Sequence, residues 1–263
     1  MQSTRSLQQN NISYDFDPLS PELFDIISYP RFSSSDYLER ISEIQSLRVK
    51  SIISRGRLKI GKLLIAGKGT VSLVLRSKSC DNKVCALKIR RIDSNRRDLH
   101  QEARLHTTAN TAGIGPRILA HTKNIIFMEF IEGSSIVDWV NKDDKAADSE
   151  TILEIVSDIL VQCHNLDKLH LDHGQLHYLN HHVIISESSR ATILDFESAS
   201  YLRRTSNVTS ASNSLLLGGQ ISERITDILR IQGKKERLVR ALKLYKLSQS
   251  EENLQEILYL LKK

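Results

Sequence analysis

Cysteine is scarce in this sequence, and the few cysteines are far apart. The three cysteines of the 263-residue chain are Cys80, Cys85 and Cys163. Their number and spacing fit neither a disulfide framework nor a C-x-x-C metal site. We therefore interpret them as buried or idle thiols.

Long apolar runs, internal repeats and low-complexity segments are also missing. No run approaches the ~18 residues of a membrane-spanning helix. The polar N-terminus, M-Q-S-T-R-S-L-Q-Q-N, does not resemble a signal peptide. Apolar residues nevertheless make up 40% of the chain and charged residues 26%, which is typical of a globular protein. We expect a cytoplasmic protein with no membrane contact, long enough for one large domain or two small lobes.

The net charge of +6 is distributed unevenly along the chain. The stretch from Arg48 to Asp98 contains fifteen Lys and Arg residues but only three Asp residues and no Glu, which gives a local net charge of +12. Such a basic region favours a polyphosphate ligand and acidic or nucleic-acid partners, among them RNA or a ribonucleoprotein. A solvated, lysine-rich surface is the alternative interpretation.

A glycine-containing stretch, L-L-I-A-G-K-G-T-V-S-L-V-L, lies between residues 63 and 75, and a third apolar run follows at 84–89. The pattern predicts a three-stranded antiparallel meander with Gly67 and Gly69 at its first corner. Glycine lets a backbone approach a ligand closely and turn N–H groups toward a phosphate. Lys88 lies in the third strand among apolar neighbours, where an ammonium group needs an anionic partner.

The first 47 residues form an extension that precedes the meander. Residues 1–17 are polar and aperiodic, which predicts a mobile tail. Ser20 and the following proline predict a short helix, and Ser33 begins a second helix with apolar residues at helical spacing. Short strands are expected at 49–53 and 58–60.

After Lys88 the periodicity changes from strand to helix. A segment capped at Asp93 extends to Asn110 and carries Glu102 on the same face as Ala103. Strands at 116–120 and 125–130 then complete a five-stranded sheet with one helix. The rest is predicted to be mainly helical, with a charged loop at 142–148 and helices at 134–141, 149–166, 220–230, 234–247 and 251–262.

Two segments in the second half carry polar residues in a pattern suited to a catalytic site. One is L-H-L-D-H-G-Q-L-H-Y-L-N-H-H-V-I-I, at 169–185, and the other is A-T-I-L-D-F-E-S-A-S, at 191–200. Asp195 directly follows an apolar strand, where a carboxylate must find a cation or hydrogen-bond donors. These segments are the strongest candidates for a functional site outside the meander.

The glycine stretch, followed by C-A-L-K at residues 85–88, resembles the glycine-rich loop and strand lysine of protein kinases. I-L-D-F is similar to their metal-binding D-F-G, and H-G-Q-L to the H-G-D-L loop of aminoglycoside and RIO kinases. D-H-G-Q-L with H-V-I-I, I-L-D-F-E-S-A-S and N-V-T-S resembles an archaeal family of predicted serine/threonine protein kinases. That family stands near the RIO kinases and the small kinase of the tRNA-modifying complex. The resemblance covers residues 60–215.

The resemblance implies an α+β, two-lobed protein-kinase-like fold. The N-lobe, at 48–132, would contain the five-stranded antiparallel sheet and one helix, and the C-lobe, at 133–263, would be mostly helical. The implied function is an ATP- and Mg²⁺-dependent phosphotransferase, an atypical serine/threonine protein kinase. A protein substrate is expected, and small-molecule and RNA-linked acceptors also remain open.

The resemblance also assigns roles to individual residues. Lys88 and Glu102 would pair and orient the α and β phosphates. Asp195 would hold Mg²⁺, and His182 falls at the position of a second metal ligand. Asp172 is the carboxylate nearest to the position of the catalytic base. The expected nucleotide contacts are Gly67, Gly69, Val74, Ala86 and Lys88, followed by the hinge residues Met128, Glu129 and Ile131.

A pseudokinase is the main competing interpretation. Gln175 stands where kinases carry the base, and Glu197 replaces the glycine of D-F-G. The protein would then be a nucleotide-binding scaffold for RNA or a protein partner. In that case Asp172 would only cap its loop.

A metal hydrolase is a weaker alternative, suggested by histidine density. Six of the nine histidines lie between His164 and His182. His170-Leu171-Asp172-His173 resembles part of the H-x-H-x-D-H signature, but Lys168 occupies the first ligand position. His177 and His181 are one helical turn apart, yet a third ligand is missing.

Overall fold

The structure, a computed structural model, describes residues 14–142 and 148–262. These residues separate into two compact units. The first unit comprises the chain up to His100 together with Leu119–Phe130, and the second comprises Gln101–Ile118 and the chain from Ile131 onward. The fold class is α+β, as predicted, with helices and antiparallel sheets. Most of the predicted tail and of the charged loop at 142–148 lies outside the described residues.

A seven-stranded sheet forms the first unit together with a separate hairpin. The strands are β1 (Tyr14–Phe16), β2 (Val49–Ser54), β3 (Leu58–Ile60), β4 (Leu63–Ile65), β5 (Gly67–Lys68), β6 (Ser72–Ser79), β7 (Val84–Arg90), β8 (Ile118–His121) and β9 (Ile125–Glu129). The sheet has the order β1-β2-β6-β7-β9-β8, and β5 pairs with β6. Strands β3 and β4 pair only with each other in the two-stranded hairpin.

The prediction of five strands is therefore wrong. Strand β1 lies within the predicted tail and pairs with β2, and β5 is only two residues long. Elements this short cannot display the alternation that identifies a strand in a sequence. The predicted first strand of the meander, β4, instead pairs with β3, and only Gly67 and Lys68 pair with β6.

The two faces of the sheet differ in composition because side chains alternate along each strand. Cys85, Leu87 and Ile89 of β7 join the apolar cluster of the first unit. Helices α1 (Phe24–Ile27) and α2 (Ser34–Ser46) add residues to the same cluster. The N-terminal extension therefore covers one face of the sheet, and Lys88 lies on the opposite face.

Helix α2 begins as predicted, because the Ser33 side chain accepts a hydrogen bond from the backbone N–H of Asp36. Its inner face includes the fully buried Arg40, which donates to the carbonyl of Ile27 at 2.5 Å. Burial, assisted by the nearby Arg90, lowers the pKa of Arg40 to about 10. The helix thus belongs to the core of this unit.

The second unit is mainly helical. Its first helix, α3 (His100–Thr111), begins later than the predicted Asp93. Asp93 instead pairs with Arg91 at 2.7 Å, while Asp98 accepts a hydrogen bond from the backbone N–H of His100. The other elements are β10 (Ser134–Ser135), α4 (Ile136–Val140), α5 (Ser149–Lys168), α6 (Leu179–His182), β11 (Val183–Ile185), β12 (Ala191–Ile193), α7 (Asn207–Ser212), α8 (Ser222–Leu229), α9 (Lys235–Leu247) and α10 (Glu251–Leu261).

The predicted helices at 149–166, 220–230, 234–247 and 251–262 are confirmed within about two residues, the ordinary uncertainty of helix ends. Strands β10, β11 and β12 form a small antiparallel sheet. One large apolar cluster holds the helices together, with the inner face of α5 at its centre. Within the described residues, no helix combines the length and the apolar character needed to cross a membrane.

Packing of α2 against the sheet can be tested with one substitution. Ile44 is fully buried in the apolar cluster, so Ile44→Ala should lower the free energy of unfolding by about 2–5 kcal/mol. Leu38, on the same helix, is 66% exposed, and Leu38→Ala should change it by less than about 0.5 kcal/mol. Urea denaturation followed by circular dichroism measures both. Equal effects would show that α2 does not belong to the core.

Candidate functional site

The strand register of the first unit aligns most of the predicted nucleotide-binding residues on one sheet face. Val74 lies opposite both Gly67 and Lys88, since β6 pairs with β5 on one side and β7 on the other. Ala86 is two residues from Lys88 and lies opposite Met128. Directly opposed residues share a face, so these five residues form one surface, which we call the lysine face.

The glycine corner is a tight turn tied to the end of β7. The Gly69 N–H donates to the Ser72 carbonyl at 2.8 Å, and the Gly69 carbonyl accepts from Nη1 of Arg91 at 2.9 Å. Lys68 donates to the Tyr29 hydroxyl at 2.7 Å. Lys68 therefore brings a cationic side chain to the turn, whereas the guanidinium of Arg91 is also paired with Asp93.

The two other predicted hinge contacts differ in position. Glu129 ends β9 opposite Cys85, so it alternates away from the lysine face, and its side chain is exposed. Ile131 is the first residue of the second unit after Phe130. Only their backbone groups suit the predicted contact with adenine.

The predicted catalytic loop lies in the second unit, and its Asp172 is deeply buried. Oδ2 of Asp172 accepts from Nε of Arg203 at 2.8 Å, and Oδ1 accepts from the backbone N–H of Ser206 at 3.2 Å. The backbone of Asp172 also exchanges two hydrogen bonds with Ser200. Only 5% of Asp172 is exposed. These contacts are those of a loop-capping residue, and the role of Asp172 as a base stays a prediction.

Gly174 is required at its position in this loop. Its φ of +85° lies in the left-handed region, and a Cβ there would collide with Nη2 of Arg203 and lie 2.8 Å from the Ser198 carbonyl. Arg203 itself donates from Nη2 to that same carbonyl. The glycine of H-G-Q-L thus leaves room for Arg203, a residue that the motif analysis did not identify.

His173 is held at both its backbone and its ring. Its N–H donates to Oδ1 of Asn207 at 2.8 Å, and Nε2 lies 3.0 Å from the Leu194 carbonyl. The carbonyl accepts only if Nε2 carries a proton, and Nδ1 has no hydrogen-bond partner among the described residues. Burial lowers the pKa of His173 to about 4. The ring is therefore neutral at pH 7.

Phe196 packs between two histidine rings. Its centroid is 4.6 Å from that of His106 on α3 and 5.1 Å from that of His173. A Cβ on Gly115 would approach both Phe196 and His106 within 3 Å, so glycine is needed there too. The segment that carries Asp195 is thus anchored to α3 and to the loop.

Asp195 has an unusual backbone and an accessible carboxylate. Its φ of +68° is rare for a residue other than glycine, and such conformations concentrate at functional sites. Its side chain is 35% exposed, and Oδ2 lies 3.9 Å from Nδ1 of the buried His182. A single carboxylate suits Mg²⁺ when phosphates and water complete its coordination, whereas imidazole suits softer metals. Asp195 therefore fits the predicted cation better than His182 does.

No group of three or more His, Cys, Asp or Glu side chains in the described part of the chain could hold a metal ion by itself. His177 is exposed in the short 3₁₀ turn that precedes α6, and His181 is exposed within α6. The metal-hydrolase interpretation therefore gains nothing from the structure.

Glu102 is buried on α3 beside Ala103, on the face expected for it. It belongs to the second unit, whereas Lys88 belongs to the first. Their pairing stays a prediction.

Two buried residues that support the loop were missed by the motif analysis. Asn207 begins α7, and Asp167 lies on the buried stripe of α5, four residues after Cys163. An aspartate is rarely buried without a partner, so its place in an apolar stripe was the available signal. In the sequence, Asn207 stands out only as part of N-V-T-S.

Sequence comparison identifies a relative of this chain. The chain is 33% identical over 104 residues to the uncharacterized protein MJ1211 of Methanocaldococcus jannaschii. The match covers 40% of this chain and 84% of that protein, so the chain belongs to the same family. No protein-family profile matches the sequence.

The neutral, buried His173 predicts that the folded protein loses stability in acid. The unfolded chain has a histidine pKa near 6.5, so below that pH it binds a proton that the folded protein takes up only near pH 4. Stability should thus fall by about 3 kcal/mol as the pH drops from 6.5 to 4 and should not depend on this group at higher pH. In His173→Gln, which retains a donor for the Leu194 carbonyl, that loss should disappear.

Urea denaturation between pH 4 and 8, in buffer containing EDTA, measures this dependence. His177→Gln, at an exposed histidine in the same segment, is the control and should behave as the wild type. An unchanged pH dependence in His173→Gln would contradict the assignment.

Proposed function

We propose that the protein binds ATP with Mg²⁺ and acts as an atypical phosphotransferase of the protein-kinase-like type. The lysine face carries this proposal. Residues of β5, β6, β7 and β9 that the kinase resemblance assigns to nucleotide binding share that face by strand register. Apolar Val74, Ala86 and Met128 would suit a base, and the ammonium group of Lys88 would suit phosphates.

Each group of this chain would contribute binding or orientation. The small glycines of this segment would let phosphate oxygens approach the backbone closely, and Lys88 would neutralise part of their charge. Asp195 would hold Mg²⁺, which supplies charge neutralisation on the phosphates when bound. Phosphoryl transfer depends mainly on such positioning and electrostatic stabilisation.

Asp172 is the candidate for orienting an acceptor hydroxyl, because it is the carboxylate nearest in sequence to the position of the kinase base. Its two bonds to Arg203 and Ser206 leave lone pairs on both oxygens, because an ionised carboxylate offers about four acceptor sites.

The same ion pair favours a second candidate function. A carboxylate committed to Arg203 and Ser206 fully explains a buried Asp172 without catalysis. The protein would then bind nucleotide without transferring phosphate and serve as a scaffold. Exposed Arg55, Arg57 and Lys59, on and before the β3–β4 hairpin, would suit RNA as its partner.

Nucleotide binding is tested at Lys88. Lys88→Ala removes a charge-assisted contact worth about 1.5–3 kcal/mol, so ATP affinity should fall about tenfold or more. Lys83→Ala, at an exposed lysine just before β7, is the matched control and should leave affinity unchanged. Isothermal titration with ATP and Mg²⁺ measures both variants, and equal affinity in these two and the wild type would reject the lysine face as the site.

Asp195→Asn should reduce the Mg²⁺ dependence of ATP binding, measured by the same titration with and without Mg²⁺.

Phosphoryl transfer is tested with a pair of variants at the Asp172–Arg203 contact. If Asp172 orients the acceptor, Asp172→Asn should abolish transfer and leave ATP binding nearly intact, while Arg203→Gln, which keeps the carboxylate, should retain measurable transfer. Radiolabel transfer to the protein itself or to a general protein acceptor is the readout. Equal loss in both variants would assign Asp172 to loop structure. Binding without transfer in the wild type would favour the scaffold.

A further inference from the structure

A chain of buried polar side chains lies behind the loop at 171–175, and it involves residues outside the proposed catalytic set. Asn207 contacts the loop twice. Its Oδ1 accepts from the His173 N–H at 2.8 Å, and its Nδ2 donates to the Leu171 carbonyl at 2.8 Å. Asn207 is 1% exposed, so water does not replace these bonds.

Asp167 on α5 controls the orientation of that amide. Its Oδ1 accepts from Nδ2 of Asn207 at 2.8 Å and from the Asn207 backbone N–H at 3.0 Å. A flipped amide would turn its oxygen toward the Asp167 carboxylate and its NH₂ group toward the His173 N–H, so both contacts would become repulsive. The position of the carboxylate therefore decides which end of Asn207 faces the loop.

Tyr245 on α9 holds the same carboxylate from the other side. Its hydroxyl donates to Oδ2 of Asp167 at 3.1 Å, and Val208 donates its N–H to that oxygen at 3.2 Å. The Tyr245 oxygen also lies 2.7 Å from Nδ1 of His164, whose Nε2 is 3.1 Å from Glu251 on α10. The polar chain thus extends from the last two helices to the loop.

Apolar packing alone does not explain this arrangement. Tyr245 is 0% exposed and lies in the apolar cluster, where phenylalanine would provide nearly the same packing without a hydroxyl. Asp167 is 1% exposed, and burial raises its pKa despite four donors. Groups that are costly to bury are here bonded to one another and to the backbone of the loop.

We propose that Asp167 and Tyr245 are positioning residues. They hold Asn207 in the orientation that sets the backbone at Leu171 and His173, and so place Asp172 and Gln175. Helix α9 is by this means part of the functional site. The consequence for catalysis rests on the proposed function, whereas the positioning itself can be measured on the protein without any nucleotide.

Amide hydrogen exchange at His173, followed by NMR on the full chain, tests the positioning. Asn207→Ala should accelerate exchange of the His173 N–H about tenfold or more, and Tyr245→Phe about threefold or more, because each weakens the bonds that keep this amide closed. Tyr259→Phe, at a 66% exposed tyrosine on α10, makes the same chemical change away from the polar chain and should leave exchange unchanged.

Two features separate positioning from a general loss of stability. The acceleration should be confined to amides of the loop, whereas global destabilisation would accelerate α5 and α8 equally. Tyr245→Phe should add little in the Asn207→Ala background, because both act through one amide group. Should Asn207→Ala fail to fold, Tyr245→Phe decides, since it removes a single oxygen.

Unchanged exchange at His173 in Tyr245→Phe, or acceleration spread evenly over the second unit, would overturn the proposal. Phosphoryl transfer measured on the same samples tests the proposed function separately. Loop-specific acceleration in a protein that transfers no phosphate would support the positioning and reject the phosphotransferase. Where transfer occurs, Tyr245→Phe should lower its rate and leave ATP affinity unchanged.

Discussion

The candidate site in the second unit depends on one requirement, that the buried polar groups of the loop at 171–175 find partners. A backbone N–H or carbonyl removed from water without a partner costs free energy comparable to a lost hydrogen bond. Asn207 supplies a donor and an acceptor to this loop, and Asp167 holds Asn207 in place. The Asp172 carboxylate then bonds to Arg203 and Ser206, and the His173 ring lies against the Leu194 carbonyl. Because each group bonds to the next, another arrangement of the segment would leave buried polar groups without their partners.

In the first unit, the corresponding constraint is that the two faces of the sheet are covered differently. The N-terminal helices bury Ile26, Ile27 and Ile44 against one face, which satisfies the demand for an apolar core. The opposite face does not have to supply this apolar core, so it can carry Lys88 between apolar neighbours. The extension, whose purpose was not evident from its composition, therefore supports the face proposed to bind nucleotide.

Much of this organisation could be predicted, and the errors have physical causes. Helices with long apolar stripes, such as α5, α9 and α10, were located correctly because repeated periodicity averages out local ambiguity. Strand β5 was missed because two residues carry no period, and β1 because its three residues lie in a polar, aperiodic stretch. The start of α3 was misplaced because Asp93 and Asp98 are equal as caps in sequence, and only the ion pair with Arg91 separates them.

The candidate site could likewise be predicted from the sequence only in part. The sequence by itself determined which residue types were available: a glycine turn, Lys88 in an apolar strand, and Asp195 directly after one. Alternation along β7 also determined that Ala86 and Lys88 would share a face, whereas the register of β6 against β7 added Val74 to it. Only the tertiary structure decided that Asp172 bonds to Arg203, that Gly174 leaves room for that side chain, and that Asp167 and Tyr245 support the loop. These contacts join residues 29 to 78 positions apart, and local periodicity carries no information about such pairs, because side-chain packing in three dimensions selects them.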